Sequence, residues 1–258
     1  MKGEFKRIAE ARLAPDKDFI QGLDDILKGA DADYEEWVQE ENNGRDDIEE
    51  LIDFLDANNM NEMPIAFHCN NEERADPNEW ASAVADWTSD GGKHVDVILH
   101  ARNIEGYYNL EDMREVLLKM IAHETIHFNQ YDHMGKEGMA SYKSGHQKGT
   151  ELKAKGGTER DWMRSYLRDK HEIMAYGRDL AVDIADMKNP QEVMRNVEGF
   201  KNELPVYQRY RHIFDKNAPQ IKALLKYASQ YLTDLLKEKE IDDAELNEFK
   251  ESIKRIIK

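Results

Sequence analysis

The clearest hydrophobic pattern in the chain follows Asn109, where apolar and histidine side chains recur at intervals of three and four residues. Val116, Met120, His123 and His127 fall on one face at this spacing, because an α-helix repeats every 3.6 residues. Asn109 is a favourable N-cap, and acidic residues follow it in the first turn. The pattern predicts a long helix whose core-facing stripe ends in two histidines.

Shorter apolar runs before this helix predict two strands with a helix between them. The run from Met63 to Cys69 and the β-branched run from Val95 to His100 both have the length of a strand, and glycines bound the second run. In the segment from Pro77 to Trp87, two tryptophans and a valine recur at helical spacing, which predicts a helix there.

The patterns in the rest of the chain are helical. Apolar side chains recur at helical spacing around residues 48–55, from His171 to Met187, from Pro219 to Leu236 and after Asp242. Pro190 ends the second of these helices, because proline cannot continue the backbone hydrogen bonding. Together with the small sheet, these helices predict a mainly α protein of the α+β class.

The segment 132–163 is unusually rich in glycine. It contains Gly135, Gly138, Gly145, Gly149, Gly156 and Gly157. Seven basic and five acidic side chains between Tyr131 and Ser165 make this part basic within an acidic chain. Because glycine disfavours regular structure, the pattern predicts a long mobile loop that could cover an acidic cleft.

Composition narrows the range of partners. The 258 residues carry a formal charge of −17, and a surface of that sign repels nucleic acids. The mean hydropathy is −0.83, and no apolar run approaches the ~20 residues of a membrane span. Because Cys69 is the single cysteine, no intrachain disulfide is possible. We therefore expect a cytoplasmic protein that binds neither nucleic acid nor membranes.

The two histidines at the end of the helical stripe flank a glutamate. His123-Glu124-Thr125-Ile126-His127 spell H-E-x-x-H, and on a helix two histidines four residues apart point the same way. Two imidazoles in this arrangement can bind one Zn²⁺ ion, and Glu124 is placed to take a proton from a water molecule. The motif predicts a zinc site with His123 and His127 as ligands and Glu124 as the catalytic base.

A catalytic zinc site takes a third protein ligand and keeps one position open, and three residues compete for this role. His133 follows His127 at the spacing of the metzincins, although Gln130 stands where those proteins have a glycine that turns the chain. His146 follows at a spacing similar to that of SprT-like zinc proteins, and it could instead donate to the transition state. The third candidate is Glu172, on the next long helix.

A resemblance to known families favours Glu172. The string Glu172-Ile173-Met174-Ala175-Tyr176 resembles the second helix of the gluzincins, in which a glutamate completes an H-E-x-x-H site. The wider pattern is similar to zincin-like proteins encoded by tailed bacteriophages, which pair an H-E-x-x-H-x-x-Q helix with an E-I-x-A-Y-x-x-x-L helix. The matching residues, within roughly 95–187, are His123, Glu124, His127, Gln130, Tyr166, Glu172, Ile173, Ala175, Tyr176 and Leu180.

The resemblance implies a zincin-like fold and a zinc metallopeptidase that hydrolyses peptide bonds of a protein or peptide substrate. Residues 1–188 would form its core, with the mobile loop at about 132–163, and residues 189–258 a C-terminal helical region packed on that core. Tyr176 could donate to a substrate oxyanion, and Asp179 could orient a ligand histidine. An extended substrate could pair with the edge of the predicted strand from Val95 to His100.

Two other hypotheses stay open at this point. The zinc site could stabilise a non-catalytic structural or interaction protein of phage origin. The same metal chemistry could also serve a zinc amidase that acts on cell walls. A phage-encoded protein would work in the host cytoplasm or in the virion.

Overall fold

The computed structural model of the chain describes residues 15, 17–40, 52, 53, 55, 57, 64–70, 81–87, 92–100 and 110–238. The chain divides into two compact units. The first is Leu13–Asp132, which we call the sheet unit. The second, which we call the helical unit, combines Met1–Arg12 with His133–Lys258. The helix predicted after Asp242 lies outside the described residues.

The sheet unit is built from two long helices and a small mixed sheet. Its elements are α1 (Lys17–Glu40), β1 (Ile65–Asn70), β2 (Ala81–Trp87), β3 (Lys93–His100) and α2 (Leu110–Ser141), the last of which runs on into the helical unit. Strand β3 lies between the other two, parallel to β1 and antiparallel to β2. A mainly helical chain with a three-stranded mixed sheet confirms the predicted α+β, mainly α class.

The core of the sheet unit lies between one face of the sheet and the helices. Val95, Val97 and Leu99 are fully buried on β3, because successive side chains of a strand alternate between the two faces. They share the core with Leu23, Leu27, Met113, Leu117, Ile121 and Phe128 from α1 and α2. Burial of each large apolar side chain contributes about 1.5–3 kcal/mol, and this holds α2 against the sheet.

The strands predicted on either side are confirmed by β1 and β3, but the helix predicted between them is wrong. Residues 81–87 form β2, whose core-facing positions are Ala81, Ala83 and Ala85. Alanine gives a weak signal of period-two burial and favours helix on its own, so pairing with β3 overrides the local preference. Because β3 is paired on both sides, the edge role predicted for Val95 to His100 is also wrong.

The long helix predicted after Asn109 is confirmed by α2, but its core face differs from the predicted one. Met113, Leu117 and Ile121 are buried, whereas Val116 is 39% exposed. Among the side chains that the structure describes, the apolar part of the buried face therefore runs from Met113 to Ile121. It leads directly to the H-E-x-x-H segment in the middle of the helix.

The helical unit continues with α3 (Gly145–Ala154), α4 (Glu159–Tyr166), α5 (Lys170–Ala185), α6 (Pro190–Arg195), a 3-10 helix (Val197–Glu203), α7 (Pro205–Ile213) and α8 (Pro219–Glu238). Helices α5 and α8 pack against each other and bury Leu180, Ile184, Leu224 and Leu232. They confirm the helices predicted from His171 and from Pro219. Residue 188, where we placed a boundary, lies inside this unit. None of the described helices combines the length and the apolar character that a membrane crossing requires.

The loop predicted over 132–163 is wrong, because the end of α2, α3 and the start of α4 together occupy most of that segment. Each of the two helices begins with a reciprocal capping box. Ser144 pairs with Gln147 at the start of α3, and Thr158 pairs with Asp161 at the start of α4. Such boxes satisfy the first backbone N–H groups of a helix, so short helices can form in a glycine-containing segment.

Two of the glycines in this segment serve close packing between α3 and α4. A Cβ atom on Gly149 would lie 2.7 Å from the Trp162 ring. A Cβ atom on Gly145 would lie 2.8 Å from the carbonyl oxygens of Ser165 and Tyr166. Both distances are shorter than a carbon atom permits, so at these positions the missing side chain lets two helices touch.

Candidate metal centre

Helix α2 brings together the three residues of the H-E-x-x-H motif. Each of His123, Glu124 and His127 offers one ligand atom, and these atoms lie within 4.8 Å of one another. Among the described residues, this is the group of histidine, cysteine or acidic side chains that is close enough to hold a metal ion. The two histidines are 7% and 5% exposed. Neutral imidazoles with little water around them suit a zinc ion.

Gln130 fixes the orientation of one of these imidazoles. The Nδ1 atom of His127 donates to the side-chain oxygen of Gln130, with 2.8 Å between the two atoms. Gln130 is fully buried, so this hydrogen bond is protected from water. Since Nδ1 carries the proton, Nε2 of His127 has the lone pair that a metal requires. The ring of Tyr131 also stacks on His127, at 6.1 Å between centroids.

Glu124 is anchored on the neighbouring strand. Its Oε2 atom accepts a hydrogen bond of 2.8 Å from the backbone N–H of Ala85 in β2. This N–H points away from β3, so it belongs to the side of β2 that no described strand covers. The proposed base of the motif therefore lies beside a strand edge that is not paired with any other strand in the described part of the chain.

His133 lies on the same helix and shows no turn toward the other two histidines. Within α2 the backbone leaves helical geometry at Gly135, with φ 66° and ψ 174°, and not at Gln130. The sharp turn that the metzincin arrangement needs at Gln130 is therefore absent. His133 is exposed, and its role as an alternative third ligand stays a prediction.

Glu172, the third ligand implied by the resemblance, belongs to the helical unit. It lies in the first turn of α5 and is 9% exposed. Burial raises the pKa of Tyr210 well above its usual value, and the negative charge of Glu172 adds to this effect. Since Glu172 and the histidines belong to different units, its role as a zinc ligand stays a prediction.

Tyr176, the predicted oxyanion donor, is held by an arginine. Nη1 of Arg209 donates to the Tyr176 hydroxyl at 3.1 Å, and the guanidinium lies 5.8 Å from the centre of the tyrosine ring. The hydroxyl of Tyr166 is 3.4 Å from that of Tyr176. A tyrosine hydroxyl that accepts from a guanidinium keeps its own proton available for donation.

The predicted second-sphere residue Asp179 is buried two turns after Glu172 on α5. Its Oδ1 atom lies 3.6 Å from Nη1 of Arg178.

His146, predicted to lie in a loop, is an exposed residue of α3, and its ring meets the Trp162 ring edge-on at 5.4 Å. The metal-related roles of Asp179 and His146 stay predictions.

The start of α5 carries a separate buried polar cluster. Asp169 caps the helix by accepting from the backbone N–H of His171 at 3.0 Å, and the Nδ1 atom of His171 lies 2.9 Å from the Tyr142 hydroxyl. Burial opposes the ionisation of Asp169. Hydrogen bonds from His171 and Tyr142 outweigh it and lower the pKa of Asp169 from 3.8 to about 2.

Three residues contact the predicted site residues but had no role predicted from the sequence: Gln130, Ala85 and Arg209. Gln130 was visible three residues after His127, and this i, i+3 spacing places two side chains side by side on a helix. Ala85 had no signal, because it acts through its backbone on a segment predicted to be helical. Arg209 had none either, since its partner Tyr176 lies 33 residues away in the sequence.

Comparison of the chain with protein-family models, with curated proteins and with solved structures gave no match.

Proposed function

We propose that the chain is a zinc-dependent metallopeptidase that hydrolyses peptide bonds in proteins or peptides. The observation that carries this proposal is the convergence of His123, Glu124 and His127 within 4.8 Å on a buried helix face. A zincin-like fold of residues 1–188, similar to that of the gluzincins, belongs to the same proposal. So does action in the cytoplasm, or in the host cytoplasm or the virion if the chain is phage-encoded.

The side chains of the sheet unit have distinct roles in this reaction. His123 and His127 bind the zinc ion, and Gln130 holds His127 in the tautomer that can do so. A bound zinc ion acts as a Lewis acid toward water and toward a peptide carbonyl. Glu124 takes the proton of the attacking water and returns it to the nitrogen of the leaving amine.

The open side of β2 is the place where a substrate would lie. Backbone groups of a strand alternate between its two sides. Since the N–H of Ala85 points away from β3, the backbone groups of Ala81 and Ala83 point the same way. An extended peptide paired with this edge would pass beside Glu124. β2 therefore takes the role that the sequence suggested for the strand from Val95 to His100.

The test combines metal analysis with a search for new peptide ends. The purified chain is expected to carry about one zinc per molecule, measured by elemental analysis, and to cleave members of an unbiased peptide library, detected by mass spectrometry. Glu124→Gln keeps the shape and removes the base, so it should keep its zinc and lose about 100- to 10,000-fold in rate. Glu115→Gln, exposed on the same helix, is the matched control.

The other hypotheses predict different results in the same experiment. A chain that holds zinc but releases no new peptide ends would be a zinc-stabilised structural protein. Cleavage of cell-wall amides with peptides left intact would support the zinc amidase. A wild-type chain with no more zinc than a His123→Ala variant would contradict all three hypotheses.

The third ligand needs its own measurement. If Glu172 binds the metal, Glu172→Ala should weaken zinc affinity by more than the roughly 100-fold typical of an outer residue. Asp179→Ala and His133→Ala should change the affinity far less. Equal zinc affinity in Glu172→Ala and wild type would overturn the resemblance to the gluzincins while leaving the two histidines in place.

A further inference from the structure

The backbone contact between Glu124 and β2 adds a further residue, Ala85, to the site of the proposed function. The N–H of Ala85 lies 2.8 Å from Oε2 of Glu124, across 39 positions of sequence. A glutamate on a helix commonly pairs with side chains three or four residues away on the same helix. Here the partner is a main-chain donor on the adjacent strand, and we propose that this N–H is a positioning group for the catalytic base.

The strand makes this donor rigid. Ala85 lies opposite Val95, and β2 pairs with β3 along its whole length, from Ala81 opposite Leu99 to Trp87 opposite Lys93. A backbone N–H in such a ladder cannot change its direction as a side chain can. It therefore fixes one carboxylate oxygen of Glu124, and Oε1 is directed by the plane of the carboxylate. Fixed geometry of this kind is worth more to a catalyst than mere closeness.

The side chains of the strand allow the helix to come this close. Ala83 and Ala85 face the core and are half-buried against it. On the register of β2 they share a face with Val95 and Val97 of the central strand. A larger side chain at position 85 would need room in a core that is already filled, so it would move the strand away from α2.

The same N–H has a competing use if the proposed function is correct. A substrate paired with the open edge of β2 could take the Ala85 N–H as a ladder donor, and Glu124 would then lose it. The two roles make opposite predictions. A positioning group acts on the chemical step and therefore on kcat, whereas a ladder donor acts on substrate binding and therefore on KM.

Amide hydrogen exchange of the zinc-loaded full chain tests the contact without any activity measurement. An N–H on an open strand edge exchanges quickly unless something accepts its hydrogen bond. The Ala85 amide should be protected in wild type and should exchange about tenfold faster or more in Glu124→Ala. The Ala83 amide, two residues along on the same edge, should be unchanged. Equal exchange of Ala85 in both proteins overturns the inference.

Proline substitution then tests the role in catalysis. Ala85→Pro removes the N–H, and proline is tolerated where a strand edge is not paired. It should keep zinc, lower kcat by about 10- to 100-fold and leave KM within about twofold. Ala83→Pro, the matched variant, should raise KM and leave kcat close to that of wild type.

The outcomes separate this inference from the proposed function on which it rests. If Ala85→Pro raises KM in the way Ala83→Pro does and keeps kcat, Ala85 is a substrate contact and the positioning role is overturned. If Ala85→Pro is as active as wild type, the inference fails and the proposed function stands. A zinc-loaded wild type that hydrolyses no peptide overturns both.

Discussion

Each unit of the molecule contains a helix that buries polar side chains, and the two helices use them differently. On α2 of the sheet unit, His123, Glu124 and His127 converge so that their ligand atoms lie within 4.8 Å. On α5 of the helical unit, His171 and Glu172 are equally buried. His171 is occupied by its contacts with Tyr142 and Asp169, which stabilise the start of the helix.

The comparison teaches that burial of a histidine does not by itself indicate a metal. What distinguishes the two helices is which neighbour the imidazole meets. His127 donates its Nδ1 proton to an amide oxygen, whereas His171 lies beside a carboxylate and a hydroxyl. In one case the hydrogen bond would suit the ring to the proposed coordination of a metal, and in the other it belongs to a polar cluster.

The largest expected effect is the loss of zinc when a histidine of α2 is replaced. Replacement of the buried histidine of α5 is the comparison. His123→Ala or His127→Ala should reduce the zinc content from about one per chain to none, because two ligands are needed to hold the ion on the helix. His171→Gln, in which an equally buried imidazole is lost, should keep its zinc. Elemental analysis of the three purified variants decides this, and loss of zinc from His171→Gln would break the comparison.

A smaller effect on zinc affinity is expected when Gln130 is replaced. This residue accepts a hydrogen bond from His127 and has no counterpart beside His171 among the contacts described above. Gln130→Leu keeps the volume and removes the acceptor of the His127 Nδ1–H. Zinc affinity should fall about 10- to 100-fold, as for other residues that orient a metal-binding histidine. The measurement is a competition titration with a chelator, with Glu115→Ala as an exposed control on the same helix. An unchanged affinity would mean that Gln130 serves packing alone.

The polar cluster of the helical unit should affect stability and leave zinc untouched. Asp169 has its pKa lowered to about 2 from 3.8, which corresponds to about 2 kcal/mol of folding free energy at neutral pH. Because the folded-state pKa is the lower one, this stability is present above pH 3.8 and is lost as the pH falls through about 2. Asp169→Ala should therefore be less stable than wild type at pH 7.

The measurement for this prediction is denaturant unfolding at several pH values. The difference between wild type and Asp169→Ala should shrink as the pH approaches 2. Asp169→Asn keeps an acceptor for the cap and loses the charge, so it separates the two contributions. If the zinc content falls in either variant, the polar cluster affects metal binding as well as stability, which contradicts the prediction.

The smallest expected effect is on stability, at the start of α4, which lies in a segment that we predicted to be a loop. Thr158 caps α4 by accepting from the N–H of Asp161, and it also donates its hydroxyl proton to the Asp161 carboxylate. Thr158→Ala should cost about 1 kcal/mol of stability, whereas Thr158→Ser keeps the hydroxyl and should cost little. Thermal unfolding of the two variants provides the comparison. Equal stability would show that α4 is held by its packing alone.

How far the sequence predicted the structure depends on the range of the contacts. The H-E-x-x-H group was predicted because a helix places residues four apart on one face, and no other part of the chain is needed. The helices from His171 and Pro219 follow from the same local repeat. The helix predicted from Pro77 to Trp87 was wrong because it rested on the helical spacing of two tryptophans and a valine. The loop predicted over 132–163 was wrong because glycine was judged by its local preference.

In both failed segments a distant partner decided the outcome. Pairing with β3 turned an alanine-rich segment into β2. Gly149 lies inside a helix because the Trp162 ring packs where a side chain would otherwise lie. The partner of Glu124 was missed for the same reason, since the Ala85 N–H acquires its position from the register of the sheet and not from the identity of the residue.

The two contacts of Glu124 and His127 also differ in when they can arise as the chain folds. His127 and Gln130 are three residues apart, so their hydrogen bond can form as soon as α2 is helical. The contact between Glu124 and Ala85 closes a separation of 39 residues and requires β2 to be seated on β3. Because non-local pairings form slowly, we expect the geometry of the proposed metal ligands to form before the proposed base is held in place. If the chain is the proposed hydrolase, a chain that has not yet paired β2 with β3 should bind the metal and lack activity.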